Sequence, residues 1–187
     1  MSWTLTPPFT KYTDFTCEIT VANLVPTAIT DPNSPLLAKE IGNTNIANLD
    51  SFILKYEKIL LKALLGTAGY AAFLVELAKA SPNAKDQALY NMLFVDGKPV
   101  ANFIYYWYMR DKATLTTGAG EAAAKLENAE RVNNNNKMCQ AWNEFSELLD
   151  AVVDYLEKEE AYFGCVAAGV DYTELLDTYR PINTNGI

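Results

Sequence analysis

Asp150 with Asp154, and Glu157 with Glu160, are spaced four and three residues apart, which puts both members of each pair on one side of a helix. Paired carboxylates can hold Mg²⁺ or share general-acid and general-base duty. Such work needs a pocket that shifts their pKa, and an acidic helix face open to solvent supplies none. Histidine is absent from the 187 residues. That removes His-based triads, His metal ligands and the Glu-x-x-His motif of di-iron bundles. Cys17, Cys139 and Cys165 are far apart and form no C-x-x-C pair, so reduced, partly buried thiols are expected. Gly118-x-Gly120 lacks the further glycines, the lysine and the preceding strand of a phosphate loop. No catalytic, cofactor-binding or metal-binding residue is assigned, no cofactor is expected, and the chain reads as a non-enzyme. A metal-dependent enzyme or regulator working through the carboxylate face is the alternative chemistry.

Composition agrees with a folded, binding or structural role. Half of the residues are hydrophobic and 12% aromatic, enough for a core. Fifteen Lys and Arg against 23 Asp and Glu leave a net charge of −8, which disfavours sequence-independent grip on nucleic acid. The first residues carry no basic, apolar signal-peptide pattern. The densest apolar run, Phe103 to Met109, is too short to span a bilayer. The expectation is a soluble protein made inside a cell, with no membrane partner.

The elements that must position these residues read as helices. Residues 1–33 read as an extended arm, because Pro7, Pro8, Pro26 and Pro32 break helices and the many threonines favour extended backbone. Such an arm lies either on a neighbouring surface or on its own domain. A helical domain over 34–163 follows. Ser34-Pro35 opens a two-turn helix that Gly42 closes. Leu49, Ile53, Tyr56, Leu60 and Leu64 recur at threes and fours, predicting a helix over 48–65 that Gly66 ends. Residues 68–79 predict a helix buried on most sides, and Ser81-Pro82 caps a short one toward Phe94.

Asp96-Gly97-Lys98-Pro99 predicts a turn. The aromatic segment 101–110 is apolar all round, so it belongs at the centre, between the helices at 48–65 and 138–160. If Trp107 is fully buried there, its replacement by alanine costs ~3–5 kcal/mol. Thr114 to Gly120 reads as a flexible connector. Glu121 to Arg131 has strong helix formers but few large apolar residues. The arm and segment 114–136 are therefore expected to contact neighbouring subunits, with Thr116, Thr117, Gly118, Gly120, Glu127 and Arg131 as candidates. Residues 164–187 read as a C-terminal tail. The fold class is mainly α, a compact helical bundle with an extended N-terminal arm and a C-terminal tail.

The last long helix, predicted over 137–162, has two unlike faces. Met138, Trp142, Phe145, Leu149, Val152 and Leu156 form an apolar stripe close to a coiled-coil seam. The other face is acidic, with seven acids and one base over residues 138–160. Such a face is either a solvated outer wall or the border of a channel.

The order of motifs from Ser51 to Asp154 resembles a known family. It runs Phe52-Ile-Leu-Lys-Tyr-Glu-Lys-Ile-Leu-Leu, Ala63-Leu-Leu-Gly66 with Tyr70, and Tyr108-Met-Arg-Asp-Lys-Ala113. Thr116-Thr-Gly-Ala-Gly-Glu121, Glu127-Asn-Ala-Glu-Arg-Val132 and Lys137 to Trp142-Asn-Glu-Phe complete it. The pattern is similar to the head–tail connector, or adaptor ring, proteins of tailed bacteriophages, in particular those of Bacteroidetes phages and prophages. That resemblance implies a small helical subunit of a homo-oligomeric ring, twelve-fold in the family. The ring docks on the portal protein, joins other neck or tail proteins and passes DNA without binding it specifically. It implies a place in the neck of the virion and no catalytic residues. Glu144, Glu147, Asp150, Asp154 and Glu157 then become the channel-facing candidates. A helical capsid or tail accessory protein outside a portal-bound ring is the alternative structural reading.

Overall fold

The computed structural model describes residues 6–11, 14–15, 35–113, 115–117, 120–122 and 135–182, with backbone alone at 35–48, 112–113, 115–117, 120–122 and 135. The described part is mainly helical, as the periodicity requires. Helix α1 spans Pro35–Leu77, α2 Ala84–Phe94 and α3 Pro99–Ala113. A two-stranded antiparallel hairpin follows, β1 Leu115–Thr117 and β2 Gly120–Ala122, with Thr116 opposite Glu121. Helix α4 spans Asn135–Lys158, α5 is a single turn at Glu160–Phe163, and α6 spans Tyr172–Thr178.

Helix α1 runs through Gly42, so the expected stop there is absent: backbone hydrogen bonding continues from Pro35, and a glycine inside a helix costs only about 1 kcal/mol. Gly66 does break the helix, at φ 70 and ψ 172, a conformation that side chains disfavour. The carbonyl of Leu64 beside the break accepts a hydrogen bond from the Tyr172 hydroxyl at 3.0 Å. At α2 the cap is Asn83 rather than Ser81. Its side chain accepts the Lys85 N–H at 2.9 Å, and Ser81-Pro82 lies upstream of the helix. The turn at 96–99 forms as expected, with Gly97 at φ 66 and Lys98 at φ 51. A side chain at 97 would also place its Cβ 2.8 Å from Leu148 Cδ1, so this turn packs tightly onto α4.

Helix α3 is the centre of the bundle. It packs most extensively on α4 and also on α1 and α2. Phe103, Ile104, Val100 and Tyr105 are buried, as are Leu60 and Leu64 of α1 and Phe145, Leu149 and Leu156 of α4. Phe103 meets Phe145 at 5.1 Å between ring centroids, Tyr179 at 5.7 Å, and Tyr56, Trp107 and Trp142 each at 6.3 Å. Trp107 itself is only half-buried, stacked on Tyr56 at 5.5 Å and with the Arg110 guanidinium over its ring.

Of the two places open to the arm, its described residues take the one on their own domain, and the described part of the expected tail joins the bundle. Phe9 and Phe15, read as parts of an arm with too little apolar surface to pack, are 8% and 5% exposed within their own domain. Two aromatic anchors are enough because the body supplies matching rings. Residues 164–182 of the expected tail are part of the bundle: Cys165, Tyr172 and Leu175 are buried. The chain then returns along α4, where Trp142 Nε1 donates to the Arg180 carbonyl at 2.8 Å and Ser146 Oγ to that of Tyr179 at 2.6 Å. Glu121 and Ala122, expected in a helix, lie in β2. The segment 123–134 lies outside the described residues.

One stretch, Leu49–Leu77, is long and apolar enough to cross a membrane by length and composition, with mean hydropathy 1.5. The search for apolar runs at 103–109 missed it because Lys55, Lys58 and Lys62 interrupt its first half. In the fold its apolar stripe is the α1 contribution to the core, through Ile53, Leu60, Leu61, Leu64 and Leu65.

Phe103, not Trp107, is therefore the costly truncation. Phe103→Ala is expected to lower unfolding free energy by ~3–5 kcal/mol. Trp107→Ala should cost about 2 kcal/mol, in keeping with its partial burial. Urea denaturation of the two variants checks the order, and a larger loss at Trp107 would contradict it.

Candidate functional site

The acidic side of α4 follows directly from its sequence. At 100° per residue, Glu147, Asp150, Asp154 and Glu157 fall within an arc of about 80°. Phe145, Leu149, Val152 and Leu156 lie on the opposite side and are buried against α3. All four acids are exposed, and none is in an ion pair among the described residues. The result is a row of carboxylates on a helix whose rotation is fixed by its other face.

The other acids of the predicted 137–162 helix do different things, and Glu159 and Glu160 lie past the end of α4. Glu144 is half-buried, accepting from Gln140 Nε2 at 2.8 Å and from Asn102 Nδ2 at 3.3 Å, so it ties α4 to α3. Glu159 pairs with Lys85 at 2.6 Å and links the end of α4 to α2. Glu160 accepts the N–H groups of Val166 and Ala167 at 3.2 and 3.1 Å. Glu157 and Glu160 are thus not a working pair, since Glu160 is committed to the turn that follows. Among the described residues no group of three or more Asp, Glu or Cys side chains is placed to hold a metal ion. Cys139 and Cys165 are buried free thiols, and Cys17 lies outside the described residues.

Of the subunit-contact candidates, Thr116, Thr117 and Gly120 lie in the hairpin, where Thr117 pairs with Gly120. Gly118, Glu127 and Arg131 lie outside the described residues. An open groove of about 380 Å³ beside the Gly66 kink is lined by Lys62, Thr67, Asp171, Glu174 and Thr178 among others. None of the residues singled out from the sequence for a site is among them.

Two buried carboxylates escaped the sequence reading. Glu57, 1% exposed, accepts the Phe9 N–H at 3.0 Å on one oxygen and the Thr10 N–H at 2.9 Å on the other. Burial pushes its pKa up, and the two N–H donors offset this only in part. Asp86, 3% exposed in the first turn of α2, accepts a short hydrogen bond from the Tyr162 hydroxyl. Burial raises Asp86 as well, and the Asp86 acceptor holds the Tyr162 proton well above the usual tyrosine range. The available signal was position: Glu57 falls on the apolar stripe of α1, between Ile53 and Leu60.

Raised carboxylates bind protons more tightly in the folded than in the unfolded chain. Their contribution to stability is fully present below the ordinary carboxylate range, near pH 4, and is lost as pH rises through the raised values. Relative to Glu57→Gln, which cannot titrate, wild-type stability should therefore fall as pH rises above the ordinary carboxylate range, near pH 4. Urea midpoints measured upward from that range check the sign, and a difference that is flat or rising would contradict it. Comparison of the chain with protein-family models, with curated proteins and with solved structures finds no match.

Proposed function

We propose that this chain is a structural subunit of a phage head–tail connector ring. It docks on the portal protein, extends the DNA channel and joins the tail. One observation carries the reading: Glu147, Asp150, Asp154 and Glu157 stand outward in a row, free of ion pairs among the described residues, on a helix locked into the core by its other side. A wall that DNA must pass without sticking requires fixed negative charge, because each phosphate near it is repelled and the surrounding water and salt screen the rest. The order of motifs from Ser51 to Asp154 supports the same family, and the mainly helical body is of the kind that family implies. In this proposal the chain acts as a homo-oligomer in the neck of the virion and performs no catalysis. Glu144 is the weakest of the channel-facing candidates, since it bonds to α3 instead of standing free.

Electron microscopy of the purified chain and of the particle neck tests the reading. A closed ring with the α4 carboxylates turned toward its axis is the expected result. Particles of the protein without ring symmetry would favour an accessory capsid or tail role. The triple variant Glu147→Lys, Asp150→Lys, Asp154→Lys should fold normally, since exposed substitutions cost within about 0.5 kcal/mol each. It should assemble, and slow DNA exit by about tenfold or more through new phosphate contacts. Normal exit would place the acidic row on the outer wall.

A further inference from the structure

The contacts that hold residues 6–11 and 14–15 on the body are those of a bound peptide. Glu57 takes two consecutive main-chain N–H groups, one per carboxylate oxygen, at 3.0 and 2.9 Å. The Phe9 ring sits edge-on between Phe94 at 5.0 Å and Tyr90 at 5.7 Å, both on α2. Asp14 pairs with Lys98 of the α2–α3 turn at 3.0 Å, and the Phe15 ring meets Tyr105 of α3 at 6.1 Å. Every one of these partners belongs to α1, α2, α3 or the turn between the last two. The strap reaches that body in sequence only through residues 16–34.

We propose that this cradle is an assembly site, and that its occupant in the assembled state is the strap of a second copy of the chain. Three observations lead there. First, the body recognises the strap by main-chain N–H groups, two aromatic anchors and one ion pair, all of which a second copy supplies identically. Secondly, the connection from Phe15 to Pro35 spans about 65–70 Å at full extension, against a radius of gyration of about 16 Å for a domain of this length. That maximum length is enough to reach a cradle on an adjacent copy.

Thirdly, the clamp is built for exchange. Glu57 is compensated by N–H dipoles of the strap, with no cation bonded to it among the described residues, so release of the strap at Glu57 breaks no ion pair there, and a second copy's N–H groups replace the first pair one for one. In a dilute monomer the tethered strap wins by its high effective concentration. Once neighbours are held side by side, own and foreign straps compete on equal terms. The inference rests on the homo-oligomer in the reading above, and adds the segment and the residues that join its copies.

The Asp14–Lys98 pair makes exchange directly readable. Unlabelled and ¹⁵N-labelled full-length chains are mixed as dilute monomers, concentrated to assemble, and treated with a carbodiimide, which couples a carboxylate to an amine in contact. Mass spectrometry then separates Asp14–Lys98 linkages within one isotope from those between isotopes. Dilute monomer should give same-isotope linkages only, and assembled material should gain mixed linkages, rising toward a statistical half as every strap is exchanged. Glu57→Ala in the labelled chains should remove linkages from unlabelled Asp14 to labelled Lys98 and spare those in the other direction. Thr10→Pro, which deletes one donated N–H without touching the body, should act the same way from the strap side. Assembled rings with same-isotope linkages only would overturn the exchange and leave the connector reading standing. A chain that stays monomeric at every concentration would overturn both.

Discussion

The five-ring contact around Phe103 is the interaction on which the rest of the bundle depends. Its ring is met from α1 by Tyr56, from α4 by Trp142 and Phe145, from its own helix by Trp107, and from the C-terminal segment by Tyr179. Tilted and edge-on arrangements dominate, as aromatic quadrupoles prefer. Because the Phe103 ring must be covered on all sides, α1, α4 and the C-terminal segment are all drawn onto it. The C-terminal chain closes the remaining gap, and its backbone carbonyls satisfy the polar tips of Trp142 and Ser146 that would otherwise be buried without partners. The rotation of α4 is then fixed, and with it the direction in which its acids stand.

Buried charge sets a second constraint. Glu57 and Asp86 are held by a main-chain pair and by a tyrosine hydroxyl, with no lysine or arginine bonded to either carboxylate among the described residues. Each ties a terminal region to the helical body, Glu57 the N-terminal segment and Asp86 the turn after α4. Polar anchoring of this kind fixes position better than apolar contact, because a carboxylate has only a few directions in which it can accept.

The helical stripes were legible because they are periodic. Leu60, Leu64, Phe145, Leu149 and Leu156 all point inward where three-and-four spacing puts them, and the segment 103–109 packs on both α1 and α4, although Tyr106, Trp107 and Met109 are only half-buried. The positive-φ turn at Gly97 was legible from Asp-Gly chemistry. What escaped was every feature decided by distant residues. Gly42 looks like a stop, yet the helix passes through it, since a single glycine is outweighed by the hydrogen bonding on either side. Phe9 and Phe15 looked too few to order a segment, because the rings awaiting them on α2 and α3 are 81–90 residues away in the chain. The acidic run of α4 read as one face. Tertiary contacts divide it into a free row and the committed Glu144, Glu159 and Glu160.

The kinked, apolar stretch Leu49–Leu77 has a consequence for synthesis. It is complete 81 residues before the end of α4, whose stripe caps the same core. At the usual pace of translation, that separation is about 4–16 s. Throughout that interval the emerging chain presents hydrophobic surface of the kind that chaperones and membrane-insertion machinery select. Lys55, Glu57, Lys58 and Lys62 load its first half with charge, and the Gly66 break divides it, so neither piece offers about 20 uninterrupted apolar residues of straight helix. The glycine that looks like a defect in α1 thus divides the apolar stretch into two shorter lengths of helix while its packing partners are still being made.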